Sequence, residues 1–198
     1  MPTSSSTQKT QSGLISNFQK SLLRSIQFSF ASATLFVITA CSHSIADYQD
    51  TDPEFALFEF FEGEVLAWGM LQDRSGQQTR RFEVQIQGEI QGQLLTLTED
   101  FVFDDGEKQQ RIWKITARAD GTYIGEADDV IGEANGVVSG NALHWQYVLR
   151  VPVDDTTYDI SFDDWMFRQD DKRMFNVATM SKFGVNVGKV TLFFEKQE

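Results

Sequence analysis

"RFEVQIQGEI", residues 81–90, shows the pattern from which the fold class follows. Its apolar side chains, Phe82, Val84, Ile86 and Ile90, alternate with charged and amide side chains. A period of two is typical of a β-strand with one dry and one wet face, because successive side chains of a strand point to opposite sides. We therefore predict a strand here whose apolar side faces a core.

The same alternation recurs along the chain on both sides of this stretch. We predict further strands in the runs 94–103, 113–119, 141–153, 156–168, 173–183 and 187–196. For the strand at 173–183 we assign Phe175 and Val177 to the apolar side. Ahead of these strands, "EFALFEFFEGE" (54–64) is rich in aromatic residues, and we expect it to form a short helix or turn that plugs one end of the core.

Short segments rich in glycine, aspartate, asparagine and serine separate the runs, among them "DRSGQQ", "DDGEK" and "SGN". Connections this short join antiparallel neighbours. An open meander of about nine or ten strands would leave two unpaired edges. We therefore predict an all-β fold, a closed antiparallel up-and-down barrel of lipocalin-like size over residues 54–198. A β-sandwich is the alternative, which the absence of a long crossover connection disfavours.

Residues 1–40 differ in composition from everything that follows. They hold Lys9, Lys20 and Arg24, no acidic residue, and then the apolar run "FSFASATLFVITA". A secretory signal has a basic start, a short apolar run and small residues before the cleavage site, and this segment has all three. Its apolar run is shorter than the roughly 20 residues of a membrane-spanning helix. We predict that residues 1–40 are a signal peptide.

Cys41 is the only cysteine of the chain, and Ile38, Thr39 and Ala40 precede it. This tetrad resembles the lipobox of bacterial lipoproteins. The resemblance implies that the thiol is diacylated, with palmitate-like chains, and that the peptide is cut before Cys41. The alternative is a buried thiol at the end of an N-terminal membrane helix.

The polar stretch after the cysteine lacks a hydrophobic period, so we predict that residues 41–53 form a lipidated tether. The residue after Cys41 is Ser42, whereas an aspartate at that place commonly keeps such proteins in the inner membrane. We therefore expect the periplasmic face of the outer membrane of a Gram-negative bacterium.

Charge and cysteine content exclude some classes of partner. The whole chain has 17 basic and 29 acidic residues. Without the three basic residues of the leader, 14 basic residues face 29 acidic ones, a net charge of −15. Such a surface repels phosphate polymers, so we predict no nucleic-acid partner. A lone cysteine allows no internal disulfide, and we expect no cofactor.

Two segments resemble an uncharacterised family of Gram-negative lipoproteins. They are "FEGEVLAWGMLQDRSG" (61–76) and, most specifically, "FDDWMFRQDDKRMFNVATMSKFGVNVGKVTLFFEK" (162–196). The resemblance extends over roughly residues 55–196. It implies a barrel of the calycin type and an address in the cell envelope, and it implies no established activity.

Paired aspartates occur five times. Three of the pairs fall in predicted turns, where aspartate is favoured because its side chain accepts hydrogen bonds from the backbone. Asp163 and Asp164 instead interrupt an apolar strand, and by parity Asp164 shares the side of Phe162. A buried carboxylate must be paired or stay protonated, so we expect a partner such as Arg168, Arg150 or Lys182. Glu99 raises the same question. The choice between an ion pair that stabilises the barrel and a ligand contact stays open.

Catalytic and metal signatures are sparse. His43 lies in the predicted tether and His144 on a polar face, and "GVVSG" does not place its serine as a nucleophile elbow requires. We expect no metal site and no catalytic residue. A hydrolase or isomerase that uses Asp163 or Asp164 is one alternative, because a pair of carboxylates suffices for some hydrolyses.

Aromatic residues make up 13% of the chain, including 17 phenylalanines. A small barrel can be packed solid or can hold one small apolar ligand. We predict binding or carriage of a small hydrophobic ligand, a fatty acid or lipid, in the lumen. The rival is a structural or partner-binding envelope protein with a solid core. The predicted contacts are Phe82, Val84, Trp113, Trp145, Tyr147, Phe162 and Met166, with Asp164 and Arg168 as polar anchors.

Overall fold

The computed structural model describes residues 43–153 and 155–198. Ten antiparallel strands close into one barrel, in which each strand pairs with its neighbours in sequence and the first pairs with the last. This confirms the predicted up-and-down barrel, in which every strand has a partner strand on both sides. The strands are β1 (Gly63–Asp73), β2 (Gln78–Gln91), β3 (Leu94–Phe103), β4 (Lys108–Ala117), β5 (Thr122–Glu126), β6 (Ala134–Ser139), β7 (Ala142–Val153), β8 (Thr156–Arg168), β9 (Arg173–Lys182) and β10 (Val185–Lys196).

The connection between β1 and β2 shows how the chain reverses within a few residues. The Asp73 carboxylate accepts hydrogen bonds from the backbone N–H groups of Ser75 and Gln77, at 2.8 and 3.0 Å. Gly76 has a φ of 88°, which a residue without a Cβ adopts at little cost. The residue types that mark this turn in the sequence are therefore the ones that satisfy its backbone.

Alternation along β2 decides which side chains fill the barrel. Phe82, Val84 and Ile86 point inward and are each at most 6% exposed, whereas the residues between them are exposed. The pattern "RFEVQIQGEI" therefore predicts the inner face of this strand correctly.

In β9 the predicted apolar side is wrong. The residues that face inward are Met174, Asn176 and Ala178, while Phe175 is 45% exposed and lies against Phe193 on the outer wall. The pairing with β8 sets this orientation, because Ala178 is opposite Asp164 and directly opposed residues share one face of a sheet.

A short helix, α1 (Leu57–Phe61), closes the end of the barrel where β1 begins. Leu57, Phe60 and Phe61 are buried, which confirms the predicted plug. The ammonium group of Lys196 donates hydrogen bonds to the carbonyl oxygens of Glu59, Phe60 and Glu62 at 2.6–3.0 Å. These carbonyls lack partners within so short a helix, so Lys196 fastens the helix to the last strand.

Residues 43–53, which the sequence predicts to be a tether, lie against the outer wall of the barrel. A single 3-10 turn (Ile45–Tyr48) is capped by the side chain of Ser44. The Tyr48 ring packs 5.7 Å from that of Trp165 and 5.5 Å from that of Phe167. Thr51 Oγ1 donates to Asn141 Oδ1 at 2.8 Å. The described part of this segment is therefore a packed element rather than a free linker.

The predicted signal peptide (1–40) and the predicted lipid-attachment residue Cys41 lie outside the described residues. Across the described ranges, no helix is both long enough and apolar enough to cross a membrane.

Candidate functional site: a cavity inside the barrel

The barrel encloses a cavity of about 410 Å³. Leu57 and Phe61 of α1 belong to its lining at the plugged end. At the opposite end the lining includes the exposed residues Glu107, Gln109 and Pro152, so the cavity opens to solvent there. Ligand pockets occupy about 300 to 1,000 Å³, and this cavity falls within that range.

Eight of the nine residues predicted to contact a ligand line this cavity. They are Phe82, Val84, Trp113, Trp145, Tyr147, Phe162, Asp164 and Met166. The aromatic members pack on one another: the Tyr147 ring stacks on Phe162 at 4.9 Å and meets the edge of Trp113 at 5.5 Å. These contacts hold the rings in fixed orientations around an open volume.

Two glycines make room for the indole of Trp145. A Cβ at Gly136 would come within 2.2 Å of the Trp145 ring, and a Cβ at Gly125 within 2.4 Å. Strands β5 and β6 therefore lack side chains where this indole lies, which lets the ring lie flat along the wall.

Arg168, the ninth predicted residue, does not line the cavity. It is buried at the plugged end, where its Nη1 donates to the carbonyl oxygen of Glu54 at 2.9 Å and its Nη2 lies 3.3 Å from Glu59 Oε1. It follows Asp164 by four positions in β8, a displacement of about 13 Å along the strand. Parity places both side chains inside the barrel, but Arg168 lies at its end and holds the segment that contains α1.

Asp164 lies in the wall of the cavity and is 5% exposed. Its carboxylate accepts hydrogen bonds from the hydroxyl of Tyr147, at 3.2 Å, and from the side-chain amide of Asn176. None of the predicted cationic partners, Arg168, Arg150 or Lys182, forms an ion pair with it among the described residues. Burial raises the pKa of Asp164 to about 7, against the opposing effect of the two hydrogen bonds.

A second polar group of the lining combines Glu99, Arg111 and Asp129. The Arg111 guanidinium donates from Nε and Nη2 to the Asp129 carboxylate at 2.7–3.1 Å. Its Nη1 is 3.9 Å from Glu99 Oε2, which is longer than a hydrogen bond. Burial raises the pKa of Glu99 to about 7 although Arg111 opposes that rise.

Sequence reasoning missed Arg111, Asp129 and Asn176. Arg111 precedes Trp113 by two residues and Asn176 precedes Ala178 by two, so the parity of their strands could have found both. Asp129 lies in the connection between β5 and β6, where no strand pattern specifies the path of the chain.

Asp163 lies outside the barrel, where its carboxylate contacts His144 Nε2 and His144 stacks on Trp165. Because Asp163 and Asp164 point to opposite sides of β8, they do not act together on one molecule in the lumen. Among the residues that the structure describes, no group of three or more histidine, cysteine, aspartate or glutamate side chains is arranged to hold a metal ion.

Residues 35–196 match a family model described as a protein of unknown function, DUF3833. A comparison with curated proteins finds no match.

Proposed function

Because the chain belongs to the DUF3833 family, whose function is unknown, we propose a function from the cavity: the protein is an envelope lipoprotein that binds a small hydrophobic ligand, such as a fatty acid or another lipid, inside its barrel. Binding would be passive, for carriage or sequestration of the ligand. The chain's own contribution is a mainly apolar, shaped volume with a few polar groups in its wall.

The observation that carries this proposal is the open cavity of about 410 Å³. A solid core would serve a purely structural role, and its side chains would pack at the density typical of protein interiors. Here the inner face of the barrel leaves a volume that opens at one end and is lined mainly by aromatic and aliphatic side chains. Small-molecule sites have this combination of an apolar wall and few polar groups. The cavity thus favours ligand binding over the solid-core alternative.

Native mass spectrometry of the full-length protein, extracted gently from its membranes, tests this function. We expect a second species whose added mass equals one lipid-sized molecule per chain. Replacing Ala178 by Phe, which fills the lumen opposite Asp164, should remove that species. The matched control is Val177→Phe, which adds the same ring on the outer face of the same strand. Repeated ligand-free spectra of the unaltered protein would overturn the proposal.

We further propose that Cys41 carries the membrane anchor and that the protein faces the periplasm from the outer membrane. The lipobox-like tetrad Ile38 to Cys41 and the absence of an aspartate at position 42 support this address. Two or more acyl chains on one residue give stable anchoring, because each buried methylene contributes about 0.8 kcal/mol. Metabolic labelling with radioactive palmitate should mark the protein, and Cys41→Ser should abolish both the label and the membrane fraction. A Cys41→Ser protein that still sediments with membranes would contradict the anchor.

A further inference from the structure

The ionisable groups in the lumen do not balance. Seven acidic or basic side chains line the cavity, and Arg80, Glu107 and Arg150 belong to its open end. Deeper in the barrel lie three carboxyl groups, of Glu99, Asp129 and Asp164, and one guanidinium, of Arg111. They interrupt an otherwise apolar wall of aromatic and aliphatic side chains. Polar groups buried in such a wall lose their hydration, so whatever binds there must satisfy them.

The single guanidinium of this set is already engaged. Arg111 contacts Asp129 through two nitrogen atoms, with distances down to 2.7 Å. This fork geometry is the strongest arrangement available to an arginine and a carboxylate. What remains in the lumen is acidic: Asp164 has only neutral partners, Tyr147 and Asn176, and Glu99 has a cation no closer than 3.9 Å.

From this excess of carboxyl groups we infer that the lumen selects a ligand with an apolar chain and a cationic, hydrogen-bond-donating head, of which a primary alkylamine is the simplest, and discriminates against carboxylate heads. Glu99 and Asp164 are the acceptors for the head. The inference rests on the proposed lumen binding and narrows the proposed ligands from fatty acids and other lipids to those with a cationic head, which excludes ionised fatty acids.

An ammonium head and a carboxylate head interact with the acidic lumen in opposite ways, because one is attracted to its carboxyl groups and the other is repelled. An ammonium group placed between Glu99 and Asp164 replaces its lost hydration with two opposite charges and with acceptor oxygens. A carboxylate at the same place adds another negative charge beside groups of the same sign. Both acids have a pKa of about 7 in the empty cavity, so a bound cation favours their ionised forms and releases protons near neutral pH.

The opposite orientation, with the head at the open end, is less favourable for either ligand. An apolar chain would then lie against Glu99 and Asp164 and would supply no positive charge to either carboxyl group. Two arginines line the open end of the cavity. Arg150 has an exposed side chain, where water screens its charge, and its Nε lies 3.9 Å from Asp159. Arg80 also offers little to a carboxylate. Its Nη2 lies 2.6 Å from both Asp105 and Glu107, and its side chain is stacked over the Phe103 ring at 3.6 Å. Arg80 Nε is buried without a hydrogen-bond partner among the described residues.

Three probes that have the same chain length and differ only in the head group test this inference: decylamine, decanol and decanoate. Their affinities for the full chain at pH 7.5 are measured by isothermal titration calorimetry and by the fluorescence of Trp113 and Trp145, which line the lumen. We expect decylamine to bind at least about tenfold more tightly than decanoate, with decanol between them. Because a proton leaves the acids, the heat of decylamine binding should change with the ionisation enthalpy of the buffer.

The variant Glu99→Gln combined with Asp164→Asn should lose the preference for decylamine and keep the binding of decanol. Glu83→Gln, on the exposed outer face of β2, is the matched control and should keep the preference. If the double variant does not fold, the head-group preference is measured in Glu99→Gln and in Asp164→Asn separately. The dependence of the decylamine binding heat on the buffer, measured in the unaltered protein, tests the same inference. Decanoate binding as tight as decylamine overturns the head-group inference alone. Failure of all three probes to bind overturns the proposed lumen binding as well.

Discussion

The Tyr147 hydroxyl and the Asp164 carboxylate form a hydrogen bond of 3.2 Å inside the barrel, across the pair of strands β7 and β8. Asn176, on β9, donates a second hydrogen bond to the same carboxylate. Both oxygens of Asp164 are thereby satisfied without an opposite charge. Burial consequently dominates, and it raises the pKa of Asp164 and raises the pKa of Tyr147 well above its ordinary value.

The two buried acids make the stability of the barrel depend on pH. The pKa values of Glu99 and Asp164 are about 7 in the folded protein, against ordinary values of 4.5 and 3.8. Between pH 5 and pH 7 the folded state therefore binds more protons than the unfolded state, so the free energy of unfolding falls as pH rises. We expect a loss on the order of a few kcal/mol between pH 5 and pH 8, measured by urea denaturation.

The variant Glu99→Gln removes one of these acids and should flatten that decline. Glu83→Gln, which changes an exposed carboxylate of the outer face, should leave it as steep as in the unaltered protein. An identical decline in all three proteins would contradict the assignment of the pH dependence to the lumen.

Replacing Arg168 by Met tests whether this residue supports the plug rather than the ligand. The change removes a buried guanidinium and its hydrogen bond to the carbonyl oxygen of Glu54, so we expect the free energy of unfolding to fall by about 2 to 3 kcal/mol. Affinity for decanol, in contrast, should not change in the folded protein. Chemical denaturation and calorimetry measure the two quantities separately.

The control for this variant is Arg173→Met at the start of the next strand. Arg173 pairs with Asp170 on the surface, where an ion pair contributes little, so stability should hardly change. If Arg168→Met weakened decanol binding as strongly as it weakened the fold, Arg168 would belong to the site after all.

Gly136→Ala tests whether the glycines of β5 and β6 keep the lumen open. The new methyl group would overlap the Trp145 ring, from which its position is 2.2 Å away, so the ring must shift into the cavity. We expect a cost of about 1 to 3 kcal/mol in stability and a weaker affinity for decanol. The control is Asn135→Ala, at the exposed neighbouring residue, which should change neither the stability nor the affinity for decanol. Unchanged decanol affinity in Gly136→Ala would show that the position of Trp145 does not limit the cavity.

Alternation predicts the face of a strand only where the two faces differ in polarity. In β2 every residue from Arg81 to Gln87 obeys the pattern, and the inner face follows directly from it. In β9 apolar residues occupy both faces, with Phe175 outside and Met174 inside. The register with β8 then decides the orientation, and a single sequence does not display that register.

The residues of the candidate site, too, could be predicted from the sequence only in part. Parity alone places Asp164 and Tyr147 in the lumen, and it applies equally to Arg111. Parity tells which face of the sheet a side chain is on, but not where along the barrel axis it lies. Arg168 is therefore on the predicted face but at the plugged end of the barrel. Asp129 enters the lumen from a connection between strands, and its position depends on the folded barrel as a whole.

Calorimetric titration with decanol is the most direct test of ligand binding in the lumen, since decanol carries the apolar chain without a charge. We expect one decanol per chain for the unaltered protein, no binding to Ala178→Phe, and unchanged binding to Val177→Phe. Absence of binding to the unaltered protein, or equal binding to all three proteins, would contradict ligand binding in the lumen.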